Sequence, residues 1–132
     1  MKVIADTNVL VRYLVRDDPR QAEIALDALR RATLLAVPLA VLCELSWVLT
    51  RGYRFTPSAV ATAIRHLTES SVVVSDTAAV EAGLAMLSQG GDFADGVIAH
   101  DGSTLGGEIF LTFDRRAASR LLAQGAAAEL LG

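Results

Sequence analysis

Short apolar runs alternate with longer segments of helical period along this chain. Val3-Ile4-Ala5, Leu34 to Val37, Val72-Val73-Val74 and Ile109-Phe110-Leu111 are too short for buried helices and lean towards β-branched types, so they read as strands. Asp6 or Thr7 caps a first helix over Asn8 to Val15, and Pro19 opens a second in which Ala22, Ala25, Leu26 and Leu29 share a face. Pro38 suits the first turn of a third helix. That helix is apolar almost all round through Val41, Leu42, Leu45, Val48 and Leu49 until Gly52 ends it, a pattern that predicts burial. Thr56-Pro57 starts a fourth helix carrying Val60, Ile64 and Leu67, and Asp76 caps a fifth ending near Ser88. After the Gly90-Gly91 turn a sixth helix spans Phe93 to His100. Gly102 to Gly107 reads as a loop, Asp114 begins a last helix through Leu122, and the tail ending in Leu130-Leu131 supplies a fifth, edge strand.

Strands and helices in this alternation predict an α/β fold. The expected sheet is parallel, has four to five strands with Val3-Ile4-Ala5 among the central ones, and carries helices on both faces. The 132 residues contain no repeat, linker or low-complexity run, so one domain over 1–132 is expected, and 52% hydrophobic residues are enough for a buried core. Twelve basic against fifteen acidic residues, a net charge of -3, exclude a protein that coats nucleic acid through bulk positive charge but not a local basic site. The longest apolar stretch, Leu34 to Leu49, is interrupted by Pro38, Glu44 and Ser46, so no membrane span is expected. The lone Cys43 cannot form an internal disulfide and no leader-like run precedes Asp6; a cytoplasmic protein is expected.

Open parallel sheets bind ligands where their strands end and helices begin. Asp6 follows the first strand, Asp114 follows the run ending at Phe113, and Asp92 with Asp95 opens the sixth helix. Each of these acids also reads as an ordinary helix cap. Glu44 separates the two readings. Its helical neighbours are Ala40, Val41, Trp47 and Val48, so its carboxylate is expected to project from an apolar helix and to need either an arginine or a metal ion beside it. Four carboxylates without a cysteine or histidine cluster make a hard, oxygen-only donor set, which suits Mg²⁺ or Mn²⁺ rather than zinc. His66 and His100 lack an evident acid-base partner and read as surface or boundary residues, Cys43 reads as inert core, and Gly102 to Gly107 lacks the ending of a phosphate-binding P-loop.

Four segments together resemble PIN-domain ribonucleases: Val-Ile-Ala-Asp-Thr-Asn at 3 to 8, Glu44 in its apolar helix, Asp92-Phe93-Ala94-Asp95 followed by Val97-Ile98-Ala99, and Leu111-Thr112-Phe113-Asp114-Arg115. Length and layout are similar to those of VapC-type toxins of bacterial toxin-antitoxin pairs. The resemblance implies an acidic quartet of Asp6, Glu44, Asp95 and Asp114, catalytic and metal-holding, with Asp92 as an accessory carboxylate and Asn8 and Thr112 as hydrogen-bonding supports. Asp95 matches the family position better than Asp92, because the acid stands three residues before an Ile-Ala pair. The implied activity is hydrolysis of RNA phosphodiester bonds with Mg²⁺ or Mn²⁺. The implied partners are RNA, a small antitoxin covering the active-site groove and a second copy in a homodimer. Among the arginines that could meet RNA phosphates, Arg12, Arg16, Arg51, Arg54, Arg115 and Arg116, the last pair is favoured because it follows Asp114 directly.

Two other classes compete. An aspartyl-phosphate domain also sets acids at strand ends, but it needs a lysine near the phosphoryl group, and the only lysine, Lys2, precedes the first strand. A non-catalytic binding or oligomerisation module of α/β fold would use the same acids merely as caps, and would have no reason to bury Glu44 without an arginine.

Overall fold

The computed structural model describes residues 1–132. In chain order the elements are β1 (Lys2–Ile4), α1 (Thr7–Val15), α2 (Pro19–Arg30), β2 (Leu34–Ala36), α3 (Leu39–Gly52), α4 (Pro57–Thr68), β3 (Val73–Val74), α5 (Thr77–Ser88), α6 (Phe93–Thr104), β4 (Phe110–Thr112), α7 (Arg115–Ala123) and β5 (Ala128–Leu130). Local chemistry starts most of the helices. Asp18, Thr56 and Asp76 accept hydrogen bonds from the backbone N–H groups of Gln21, Ala59 and Ala79, each at 3.1 Å, and Pro19 and Pro57 occupy first turns, where a missing N–H costs nothing.

Every strand pair is parallel, which is the α/β class expected. The strands divide, however, into two sheets, β1-β2-β3 and β4-β5, in place of one sheet of four to five. Val3 lies beside Leu35 and Leu35 beside Val73, and this row faces the main core; β2 is the central strand and β1 an edge. The opposite face is not closed over by helices along its length: Ile4 is 76% and Val74 53% exposed. β4 carries the same kind of apolar run as β1, but its only partner is β5, with Phe110 beside Ala128 and Thr112 beside Leu130. Which edge an apolar run joins is a non-local choice, so the sequence pattern identifies both strands without identifying their neighbours.

The core is built by α1, α3, α4, α5 and the start of α6 on one face of β1-β2-β3. Leu10, Leu42, Leu45, Leu49, Ile64 and Phe93 have no exposed surface, and each contributes about 1.5–3 kcal/mol by leaving water. The third helix is not buried all round as its composition suggested. Leu42, Leu45, Ser46 and Leu49 face inward, and a stripe through Ala40, Glu44, Trp47 and Arg51 faces solvent. The sixth helix runs a turn beyond His100, where the Ser103 and Thr104 hydroxyls donate to the carbonyls of His100 and Asp101, both at 2.6 Å, so part of the expected loop is helical. β4, α7 and β5 pack chiefly on one another around Ala117, Ala118 and Leu121, and Gln124 reaches back to Met86 of α5 at 3.0 Å. No helix is long and apolar enough to cross a membrane.

One exposed polar knot ties the α1–α2 turn to the end of α3. Arg12 donates to Asp17 at 2.8 Å and to Gln21 at 2.6 Å, and the Tyr53 hydroxyl donates to the second oxygen of Asp17 at 2.9 Å. The Tyr53 hydrogen bond, assisted by Arg12, holds the Asp17 carboxyl below its usual range. A depressed folded-state pKa adds stability above the unfolded value and loses it as pH falls through the folded one. Asp17→Asn is therefore expected to lower Tm slightly at neutral pH, and its deficit against wild type should vanish on acidification below the ordinary value of 3.8; melting both proteins across that range checks it.

Candidate functional site

Three of the acids at strand and turn ends do cap helices. Asp6 accepts the Thr7 N–H at 2.8 Å, Asp92 the Ala94 N–H at 2.9 Å, and Asp114 the N–H groups of Arg116 and Ala117 at 2.9 and 3.1 Å. In every case only Oδ1 is used, so the second oxygen stays free while the cap and the helix dipole fix the carboxylate in place. Thr112 Oγ1 accepts the Asp114 N–H at 2.9 Å and steadies the approach to α7; Asn8 lies exposed and makes no such bond. Asp95 is different. It stands in the first turn of α6, half-buried, and accepts no capping hydrogen bond.

The arrangement brings part of the predicted set together. Burial raises the Asp95 pKa, the negative charges of Asp92 and Asp114 raise it further, and Arg120 opposes them. Asp92, Asp95 and Asp114 are thus one electrostatic group at the N-terminal ends of α6 and α7. Neither Asp6 nor Glu44 is among the charges that act on Asp95, and nowhere do three carboxylate, thiol or imidazole groups converge closely enough to grip one ion. Asp6 follows β1, whereas Asp114 follows β4 in the other sheet.

Glu44 corrects the sequence reading. It is exposed on the open stripe of α3 and forms no salt bridge, so neither a buried charge nor an arginine partner is there to be satisfied. Glu44→Gln is accordingly expected to leave the melting temperature in EDTA unchanged within about 0.5 kcal/mol of stability, as differential scanning calorimetry would show.

Some residues near the site were not picked out from the sequence. Arg120 lies across Gly91, where an added side-chain carbon would meet its Cδ at 2.8 Å, and it is the cation that acts on Asp95. Its spacing from Ala117 and Leu121, which are buried, is the signal that places it on the inner flank of α7. Arg115 and Arg116, the favoured pair, are exposed and unpaired. Asp101 is a further acid near Cys43. Burial first, then Asp92 and Asp101, pushes the Cys43 thiol up, which keeps it protonated and unreactive at neutral pH. His66 pairs with the Tyr13 hydroxyl at 3.1 Å on the surface, and Arg12 is committed to Asp17.

The PIN domain family model matches residues 3–121. The chain is a PIN-domain protein. A search of curated proteins finds no match. PIN domains are generally nucleases and commonly depend on divalent metal ions. In this PIN domain the donor chemistry fits such an ion: all the acids offer hard oxygen, and the mutual repulsion felt by Asp95 is what a cation would relieve. Asp95 is the residue such an ion would approach, with Asp92 and Asp114 as neighbouring charges and not as a closed ligand set.

Proposed function

We propose that this PIN domain is an endoribonuclease that hydrolyses RNA phosphodiester bonds with Mg²⁺ or Mn²⁺, using Asp6, Glu44, Asp95 and Asp114 as its acids and Asp92, Asn8 and Thr112 as supports. The observation that carries the reading is Asp95, a half-buried carboxylate crowded by Asp92 and Asp114 at the start of two helices, an arrangement costly for a cap and useful for a cation site. When bound, a divalent ion supplies positive charge against the attacked phosphate and lowers the pKa of water. Asp95 keeps its position through burial, Asp114 through its cap and Thr112, and Arg120 limits the excess of negative charge that substrate phosphates would meet. Arg115 and Arg116, free of acidic partners, are suited to the RNA backbone. Asp6 joins the set if the free edges of β1 and β4 meet, because neighbouring strands lie about 4.8 Å apart.

The same reading extends to biology. A chain of this length and layout fits the toxin of a toxin-antitoxin pair, cytoplasmic, homodimeric and neutralised by a small antitoxin; Leu111 and Phe113, 58% and 80% exposed, are apolar surface that a partner protein would cover. Incubation of purified protein with total RNA tests the activity, and cleavage is expected with Mg²⁺ or Mn²⁺ and absent in EDTA. Cleavage that persists in chelator rejects the metal mechanism. Expression of the chain alone is expected to arrest growth, and healthy growth with abundant folded protein rejects the toxin role.

A further inference from the structure

The exposed stripe of α3 holds a second feature besides Glu44. Trp47, the only tryptophan, is 59% exposed although it is among the costliest side chains to leave in water. It follows Glu44 by three residues, which sets their Cβ atoms about 5–6 Å apart on one helix face. Arg51, one turn further on, lays its guanidinium 5.8 Å from the indole centroid, and Arg54 follows in a left-handed backbone conformation at φ 57°. Neither arginine pairs with a carboxylate: the two salt bridges of the protein are Arg12–Asp17 and Arg65–Glu81. A bare aromatic ring with the unpaired guanidinium of Arg51 against it is a local positive spot beside Glu44 in a chain of net charge -3.

The geometry points to Trp47 as a stacking platform for an unpaired base of a single-stranded nucleic acid, with Arg51 holding the adjoining phosphate. Any base has a flat face for an indole, so such a platform accepts many sequences, and the arginine supplies the charge attraction that bases alone lack. The surroundings favour this ligand over a protein surface. Along the stripe Trp47 is bordered by Ala40, Glu44, Thr50 and Arg51, small or polar groups, and no other large exposed apolar residue lies on α3. The inference rests on the proposed nuclease reading for its substrate class, and makes Trp47 a positioning residue that reads strandedness: a duplex, its bases already stacked, has no free face to offer.

Because the chain has one tryptophan, its emission reports this site alone. Titration with a short oligoadenylate, in calcium buffer and again in EDTA, is expected to quench the emission. Trp47→Ala should weaken binding of the fluorescein-labelled oligoadenylate by roughly ten- to a hundredfold, while Trp47→Phe retains most of it. Arg51→Ala should weaken it several-fold and flatten the salt dependence, as the loss of about one phosphate contact predicts. An abasic strand of equal length should bind wild type and Trp47→Ala alike. In the cleavage reaction Trp47→Ala should raise KM for single-stranded RNA and leave kcat unchanged. The inference is overturned if the oligoadenylate fails to bind in both buffers, if bound strand leaves the emission untouched, if Trp47→Ala binds as tightly as wild type, or if the emission shifts on simple dilution, which would mark a contact between copies. A chain that binds in this way without cleaving RNA would remove the nuclease reading and keep the platform.

Discussion

Replacing Asp95 by asparagine is expected to lower RNA hydrolysis by about 10²–10³-fold or more, while the protein stays folded and melts no lower than wild type in EDTA. The choice of Asp95 isolates chemistry from architecture. Asp6, Asp92 and Asp114 each cap a helix, so changing them alters a helix end as well as a charge, whereas Asp95 accepts no capping hydrogen bond. Its carboxylate is half-buried and repelled by Asp92 and Asp114, so a neutral side chain of the same shape relieves repulsion in the metal-free protein. Adding Mg²⁺ should raise the wild-type Tm by mass action, about 2.7 kcal/mol of stability at a hundred times Kd, and the Asp95→Asn Tm much less. Equal gains from Mg²⁺ in both proteins, or full activity in the variant, would remove Asp95 from the site.

The largest expected effect on stability belongs to Gly96. Helices α5 and α6 form the most extensive helix pair in the protein, and Gly96 sits where they approach most closely. A side-chain carbon there would strike the backbone carbonyl of Ala82 and come within 2.8 Å of Met86 Cγ. A flexible side chain can move aside, but a helix backbone cannot without separating the pair. Gly96→Ala is therefore expected to cost about 3 kcal/mol, roughly 10 °C in Tm, despite the higher helix propensity of alanine. Gly102 supplies the control on the same helix: nothing lies within 4 Å of its added carbon, so Gly102→Ala should leave stability unchanged or raise it by up to about 1 kcal/mol. Urea titrations of the two variants check the contrast. A mild Gly96→Ala would mean that α6 can slide on α5, and because α6 carries Asp92 and Asp95, the acids would then be less firmly placed than their caps suggest.

The helices were legible because their signals are local. Asp18, Thr56, Asp76, Asp92 and Asp114 each announce a start within a few residues of the side chain that makes the hydrogen bond. The strands were legible as apolar runs, and their pairing was not, since nothing within Val3-Ile4-Ala5 or Phe110-Leu111-Thr112 states which distant edge each will meet. Glu44 fell to a similar limit. The apolar composition around it correctly predicted a helix packed on the core, but the width of the packed face depends on how many neighbours surround α3, and the helix turns one stripe outward. The acids at the starts of α6 and α7 could be located from the chain because each follows a strand or turn directly. Arg120 could not, because its approach to Asp95 depends on where α7 comes to rest against Gly91.

The free edges of β1 and β4 make each molecule a plug and a socket. They are unlike surfaces, so pairing one molecule's β4 with the next molecule's β1 has no two-fold symmetry to stop it, and a head-to-tail contact of this kind runs on into a filament unless it closes into a ring. Rising concentration should therefore favour strings of copies over single ones, and whatever covers these two edges also keeps the protein in solution.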